Sequence, residues 1–276
     1  SDLDLLIPES AIGAAQAVLF AQGYEQKDLS TDPAEAEHDE GPYHVFMKKR
    51  SLFRVDLQWV MAHQYFAFHL DRPEFWAHRT PMTLGSSTVQ VLAPEELLIL
   101  LCVHGSKHAW EQLKWVCDVA ELLRSHPDLD WERIFANATA WRCQRLIHIG
   151  LALAHRVLDA PIPESVCARY STDADVRMLS ERMPASLLAS PRKGVSEEQA
   201  AAFYLTLKDT WWERCRFGLV LCRDGSSVVE NPPSWFSRGR GLMRLAHLVR
   251  PCQRAVRNLV PSSIRGAINR WVEHGG

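Results

Sequence analysis

The sequence predicts an α+β fold: a small unit of strands and helix over residues 1–92, then a mostly helical region over residues 93–276 that ends in a basic tail. Two observations carry this. Short segments before residue 92 alternate apolar and polar side chains at period 2, the signature of half-buried strands. From Pro94 onward the apolar residues recur three and four apart, as they do on one face of a helix.

The elements follow in order. "DLDLLIP" reads as a strand with Asp2 and Asp4 on one face and Leu3, Leu5 and Ile7 on the other, stopped by Pro8. Ser10 to Gln22 carries Ile12, Ala15, Val18 and Leu19 at helical spacing, with Gly23 as its stop. The acidic "STDPAEAEHDEGP" is a loop. "YHVFMKKRSLFRVDLQWV" reads as a hairpin turning around Arg50–Leu52. Its second strand sets Phe53, Val55, Leu57 and Trp59 against Arg54, Asp56 and Gln58. "STVQVLAP" is one further short strand. Pro94 then starts a long helical stretch to Pro127, bent or divided at Gly105. Asp130 N-caps the helix of "WERIFANATAW", "CQRLIHIGLALAHRVLD" is the next, and further helices cover Glu197–Arg216 and the tail.

The chain of 276 residues is 47% hydrophobic and 23% charged, which excludes a disordered protein. No run approaches the roughly 18 apolar residues of a membrane-spanning helix, and no signal peptide is visible. With no initiator methionine, the sequence reads as a fragment or a processed form. Seven cysteines without C-x-x-C spacing read as reduced thiols, mostly buried, in a cytoplasmic protein. The formal charge of −2 hides an asymmetry: from Trp211 onward there are 11 Arg, no Lys and 4 acids.

The chemistry concentrates in three carboxylates. Asp2, Asp4 and Asp56 each lie on the polar face of a strand whose other face is apolar. Neighbouring strands would converge them, and unpaired they would repel and raise one another's pKa. Mg²⁺ removes that conflict, since it takes one or two carboxylates plus phosphate oxygens and waters. Two such ions, roughly 3.5–4 Å apart, clamp the attacking and leaving oxygens of a phosphoryl displacement. A D-x-D alone is a weak signal. The third acid on a second alternating strand is what strengthens it.

"SDLDLLIP", the helix ending "AQGYEQ", "FRVDLQWV" and "LAPEELLILLCVHGSKHAWEQLKWVCDVAELL" together resemble the uncharacterised bacterial nucleotidyltransferase family of the DNA polymerase beta-like superfamily. The likeness is collinear over roughly residues 2–160. It implies a mixed sheet with flanking helices, and attack on the α-phosphate of a nucleoside triphosphate with pyrophosphate leaving. By the same likeness Asp2 and Asp4 ligate Mg²⁺, and Asp56 is the third acid that helps deprotonate the acceptor hydroxyl. The glycine turn that the superfamily carries ahead of D-x-D is not in this sequence, and Gln58 stands where the family pattern has His.

"HGSKHAWEQLKWVCD" read as one helix puts Lys107, Glu111, Lys114 and Asp118 on one stripe and His104, His108, Glu111 and Trp115 on the next. From the residues alone this is either a salt-bridged, half-exposed face or a phosphate-binding one. Two histidines at i, i+4 suit zinc, but the Glu of H-E-x-x-H and a third ligand are lacking. The resemblance turns Lys107 toward the triphosphate, with His104 or His108 beside it. Lys114 and Asp118 then pair with each other or fix the helix against the sheet. Arg54, on the face of Asp56, is a weaker phosphate candidate. The Arg-rich tail either packs its apolar stripe on the helical region, binds a nucleic acid or acidic partner, or lies on an anionic membrane surface.

The expectation is a Mg²⁺-dependent nucleotidyltransferase that moves an NMP group, AMP from ATP, onto a hydroxyl or similar acceptor on a small molecule or peptide. The alternative is a catalytically inactive nucleotide-binding or interaction module of the same fold.

Overall fold

The computed structural model describes residues 2–27, 43–48, 54–59, 72–188, 203–215 and 217. The backbone divides into two compact units, with the division between Glu96 and Leu97.

The first unit holds a four-stranded mixed sheet in the order β1-β4-β3-β2. β1 (Asp2–Leu6) runs parallel to β4 (Arg54–Gln58). β3 (Tyr43–Lys48) is antiparallel to β4 and to β2 (Tyr24–Lys27). A 3₁₀ turn (Glu9–Ala11) leads into α1 (Ile12–Ala21). That helix supplies the crossover which two parallel strands require.

One face of the sheet forms the core of this unit. Phe46, Val55 and Leu57 are buried, with Ile7, Ala15, Leu19 and Tyr24 packed against them. The Phe20 ring meets Phe46 edge-on at 5.6 Å, and Gln16 on α1 bonds His44 on β3 at 2.7 Å. The alternation of β4 is realised: Val55 and Leu57 face α1, and Asp56 faces away. Three expected core positions are not core. Leu3 is 56% exposed, Leu5 37% and Val18 62%, because Ala15 and Leu19 pack toward Phe46, Val55 and Leu57, away from the rim strand β1. The expected hairpin turn, Phe53, and the acidic loop lie outside the described residues.

A short helix, α2 (Pro73–Ala77), has Pro at its first position. The hairpin of β5 (Thr80–Leu84) and β6 (Ser87–Val91) follows.

The second unit is helical. α3 (Pro94–Lys107) runs across the division, and its first turn, still in the first unit, carries Glu95 and Glu96, where acids favour the helix dipole. α4 (Leu113–Ser125), α5 (Trp131–Ala140), α6 (Gln144–Leu158), α7 (Glu164–Ser171) and α8 (Ala174–Leu188) complete it. Asp130 caps α5 as expected, its side chain accepting from the Arg133 N–H at 3.0 Å. α6 is buried almost all round, from Leu146 through Ala154, and touches α4, α5, α7 and α8. A helix apolar on every face belongs at the centre of its bundle.

Glu197–Arg216 is not one helix: helical turns at 203–206 and 211–215 flank a break at Lys208–Thr210, and 197–202 and 216 lie outside the described residues. The basic tail past residue 217 also lies outside them, with Cys222 and Cys252. Cys102 and Cys143 are buried, but Cys117 is exposed, on the outer side of α4. Among the described residues no helix is long and apolar enough to cross a membrane.

Candidate active site

The parallel register sets the acids. Asp4 on β1 is the partner of Asp56 on β4, and Asp2 is the partner of Arg54. Asp2 and Asp4 are two residues apart, so alternation puts both positions on the strand face that Asp56 shares. Asp56 is only 5% exposed, while Asp4 is open to solvent.

Two of the three acids, Asp56 and Asp4, have a side-chain partner on β4. The Arg54 Nε–H donates to Asp56 Oδ1 at 2.6 Å, a charge-assisted bond. The Gln58 amide donates to Asp4 Oδ1 at 2.8 Å across the strand pair. The period of 2 that lines up Arg54, Asp56 and Gln58 thus delivers one acid and two donors to one face. Spacing identifies that face and puts Arg54 beside Asp56 within β4, but the Gln58–Asp4 bond depends on the β1–β4 register.

Among the described residues no three or more His, Cys, Asp or Glu side chains form a ready metal cage. The donor set nevertheless fits Mg²⁺. It is all oxygen, Asp4 and Asp56 occupy neighbouring register positions, and one or two carboxylates suffice when phosphate and water supply the rest. Zinc has no such support at His104 and His108.

The HGSKH segment lies in the second unit and is not one continuous helix, which corrects the two stripes. α3 ends at Lys107, a turn covers 108–112, and α4 begins at Leu113. Gly105 is not the break. Ala109 and Trp110 both adopt left-handed backbone, φ 48° and 54°, which costs energy in residues with a Cβ. The Trp110 indole folds back on α3 and donates to Ser106 Oγ at 3.2 Å. A Cβ on Gly105 would stand 2.5 Å from that ring, and one on Gly150 of α6 would stand 2.5 Å from Cys102 Sγ. Both glycines are needed for this close approach.

The turn still gathers His104 and His108, 4.9 Å apart, and stacks His108 on Trp115 at 4.7 Å and 15°. Burial pushes both imidazoles down, His104 to about 4 and His108 to about 3. Lys107 and Lys114 depress both further, and His104 also acts on His108. Both rings are therefore neutral near pH 7. The Lys107 carbonyl accepts from the Tyr204 hydroxyl, and the Lys114 ammonium lies over the Trp115 ring at 5.5 Å. No local pattern marks Trp110 or Tyr204 in the sequence, because their partners are tertiary.

A mixed sheet with an acid pair on adjacent parallel strands, followed by a helical unit, defines an α+β protein with a carboxylate face. The chain belongs to the family described as uncharacterised nucleotidyltransferase, whose model matches residues 1–159. Membership supports nucleotidyl transfer as the general activity, with a nucleotide as substrate. No curated protein and no solved structure matches the chain.

Proposed function

We propose that the protein transfers AMP from ATP to a hydroxyl or similar acceptor on a small molecule or peptide, with Mg²⁺ held by Asp2, Asp4 and Asp56. The observation that carries this is the register pairing of Asp4 with Asp56 inside the family-matched segment. In the reaction, an acceptor oxygen bonds to the α-phosphorus, the bond from that phosphorus to the bridging oxygen breaks, and pyrophosphate leaves with the electron pair. Bound Mg²⁺, one ion or two, would neutralise the charge gathering on the phosphate oxygens.

The chain's own residues divide the remaining work. Asp56 helps take the acceptor proton, from a carboxylate already shielded from water. Asp4, oriented by Gln58, presents its oxygens toward the solvent side. Lys107 is proposed to bind phosphate as a compact charge, with neutral His104 and His108 as hydrogen-bonding neighbours. The protein is proposed to act in the cytoplasm.

The test is incubation of the full-length protein with labelled nucleoside triphosphates and candidate acceptors, reading pyrophosphate. Asp56→Asn should cut release by roughly 10²-fold or more. Unchanged release in that variant would sink the proposal.

One observation favours the inactive module as a second reading: Arg54 and Gln58 already bond one oxygen each of Asp56 and Asp4 from within the chain. On that reading, calorimetry would find nucleotide binding without pyrophosphate release.

A further inference from the structure

Arg54 and Asp56 form an unequal pair. The Asp56 side chain is 7% exposed and that of Arg54 29%, at a separation of 2.6 Å. The surroundings of Asp56 supply one more reason for a cation. Its strand partners are Asp4 on β1, a second carboxylate, and Val45 on β3, which offers no side-chain donor. An ionised carboxylate so placed requires a compensating positive charge. In this protein the guanidinium provides it.

A divalent cation bound through Asp56 Oδ1 would meet the same requirement at the oxygen that Arg54 holds. The guanidinium and the metal then compete for that oxygen. Arg54 is the half-open member of the pair, so it is the one with room to leave. Asp4 differs: its donor is the uncharged Gln58 amide, in an exposed bond that costs less to give up.

We propose that Arg54 is an exchangeable counter-cation, which holds Asp56 closed in the metal-free protein and must release it when a divalent cation binds. This rests on the reading of Asp2, Asp4 and Asp56 as metal ligands. It goes beyond that reading by giving Arg54 a gating role at the carboxylate, where the sequence alone makes it a phosphate contact. The acid pair then resists a bare divalent cation, because loading it breaks a charge-assisted bond.

The experiment is a Mn²⁺ titration followed by electron paramagnetic resonance, on the full-length protein, Arg54→Gln and Asp56→Asn. Arg54→Gln should bind Mn²⁺ about tenfold more tightly than the unaltered protein, the worth of one charge-assisted bond. Asp56→Asn should bind more weakly than either. The gain should persist between about 0.05 M and about 0.5 M salt, because a contact this buried is screened little. A gain that vanishes at high salt means through-space repulsion and overturns the proposal. Equal affinity in Arg54→Gln, with binding lost in Asp56→Asn, overturns the proposal and leaves the metal site standing. No Mn²⁺ binding in any of the three overturns both.

Thermal unfolding provides a second measurement where Arg54→Gln folds less well. Mn²⁺ should raise the Tm of that variant by more than it raises the Tm of the unaltered protein. An equal or smaller rise overturns the exchange.

Discussion

The side-chain amide of Gln58, on the central strand β4, reaches across to Asp4 on the neighbouring β1 and donates to its carboxylate at 2.8 Å. A glutamine does this without a charge of its own. Gln58→His should keep a donor but make pyrophosphate release depend on pH, with a new midpoint near the ordinary histidine value of about 6.5. Gln58→Leu should leave stability within about 1 kcal/mol, since the bond is exposed, and raise the KM for metal–nucleotide more than it lowers kcat. A pH–rate profile and a KM measurement check both outcomes.

Gly105→Ala should destabilise the second unit by about 1–3 kcal/mol. The new Cβ would lie 2.5–2.7 Å from three Trp110 ring atoms, and the buried indole cannot swing clear. Combined with Trp110→Leu, the loss should be less than the sum of the two single losses, because the smaller side chain removes the clash. Denaturant unfolding of the two single variants and the double measures it. Strict additivity would contradict the close approach.

Three histidines of the second unit are held below their ordinary pKa of 6.5: His104 to about 4, His108 to about 3 and His148 to about 4. Burial is the leading cause in each, and at His148 Asp173 opposes it. The folded state then binds fewer protons than the unfolded chain between about pH 6.5 and pH 4. Stability is full above 6.5 and falls as the pH drops through that window, by at most about 1.4 kcal/mol per pH unit for each histidine. His108→Phe keeps a ring against Trp115 and should flatten the slope. Urea midpoints measured from pH 7.5 to pH 4.5 decide it.

Asp209 caps a helix from far along the chain. Its two carboxylate oxygens accept the backbone N–H groups of Gln144 and Arg145, at 3.0 and 2.9 Å, at the start of α6. Cys143, the residue in the capping position, makes no side-chain cap. Asp209→Ala should cost about 1–2 kcal/mol. It should also speed amide exchange in 203–215 relative to α5, which hydrogen exchange can resolve.

What was legible in the sequence is what leaves a periodic trace. β4 declared itself because Val55 and Leu57 pack on α1 while Arg54, Asp56 and Gln58 do not. β2 left no trace, since "YEQK" has three exposed residues and joins β3 through its backbone. β5 is exposed at every position, so no alternation marks it. The break between α3 and α4 was hidden for another reason. "HAWEQ" contains neither Gly nor Pro, and the turn is imposed from outside by the fit of Trp110 against Gly105 and Gly150. In the candidate site, Asp4 and Asp56 could be placed on matching faces from spacing. The Arg54 and Gln58 bonds could not be assigned, because the first depends on side-chain placement within β4 and the second on the pairing of β1 with β4.

The two paired acids are mounted differently. β4 is bonded on both sides, by β1 and by β3, whereas β1 is the rim of the sheet and bonds β4 alone among the described strands. Asp56 is therefore the fixed jaw of a vice and Asp4 the travelling one. A tilt of the outer strand alone would widen or narrow the gap between them and leave the β4–β3 pairing as it is. On the proposed reading, a grip built this way would adjust to its cation at the expense of one strand's freedom.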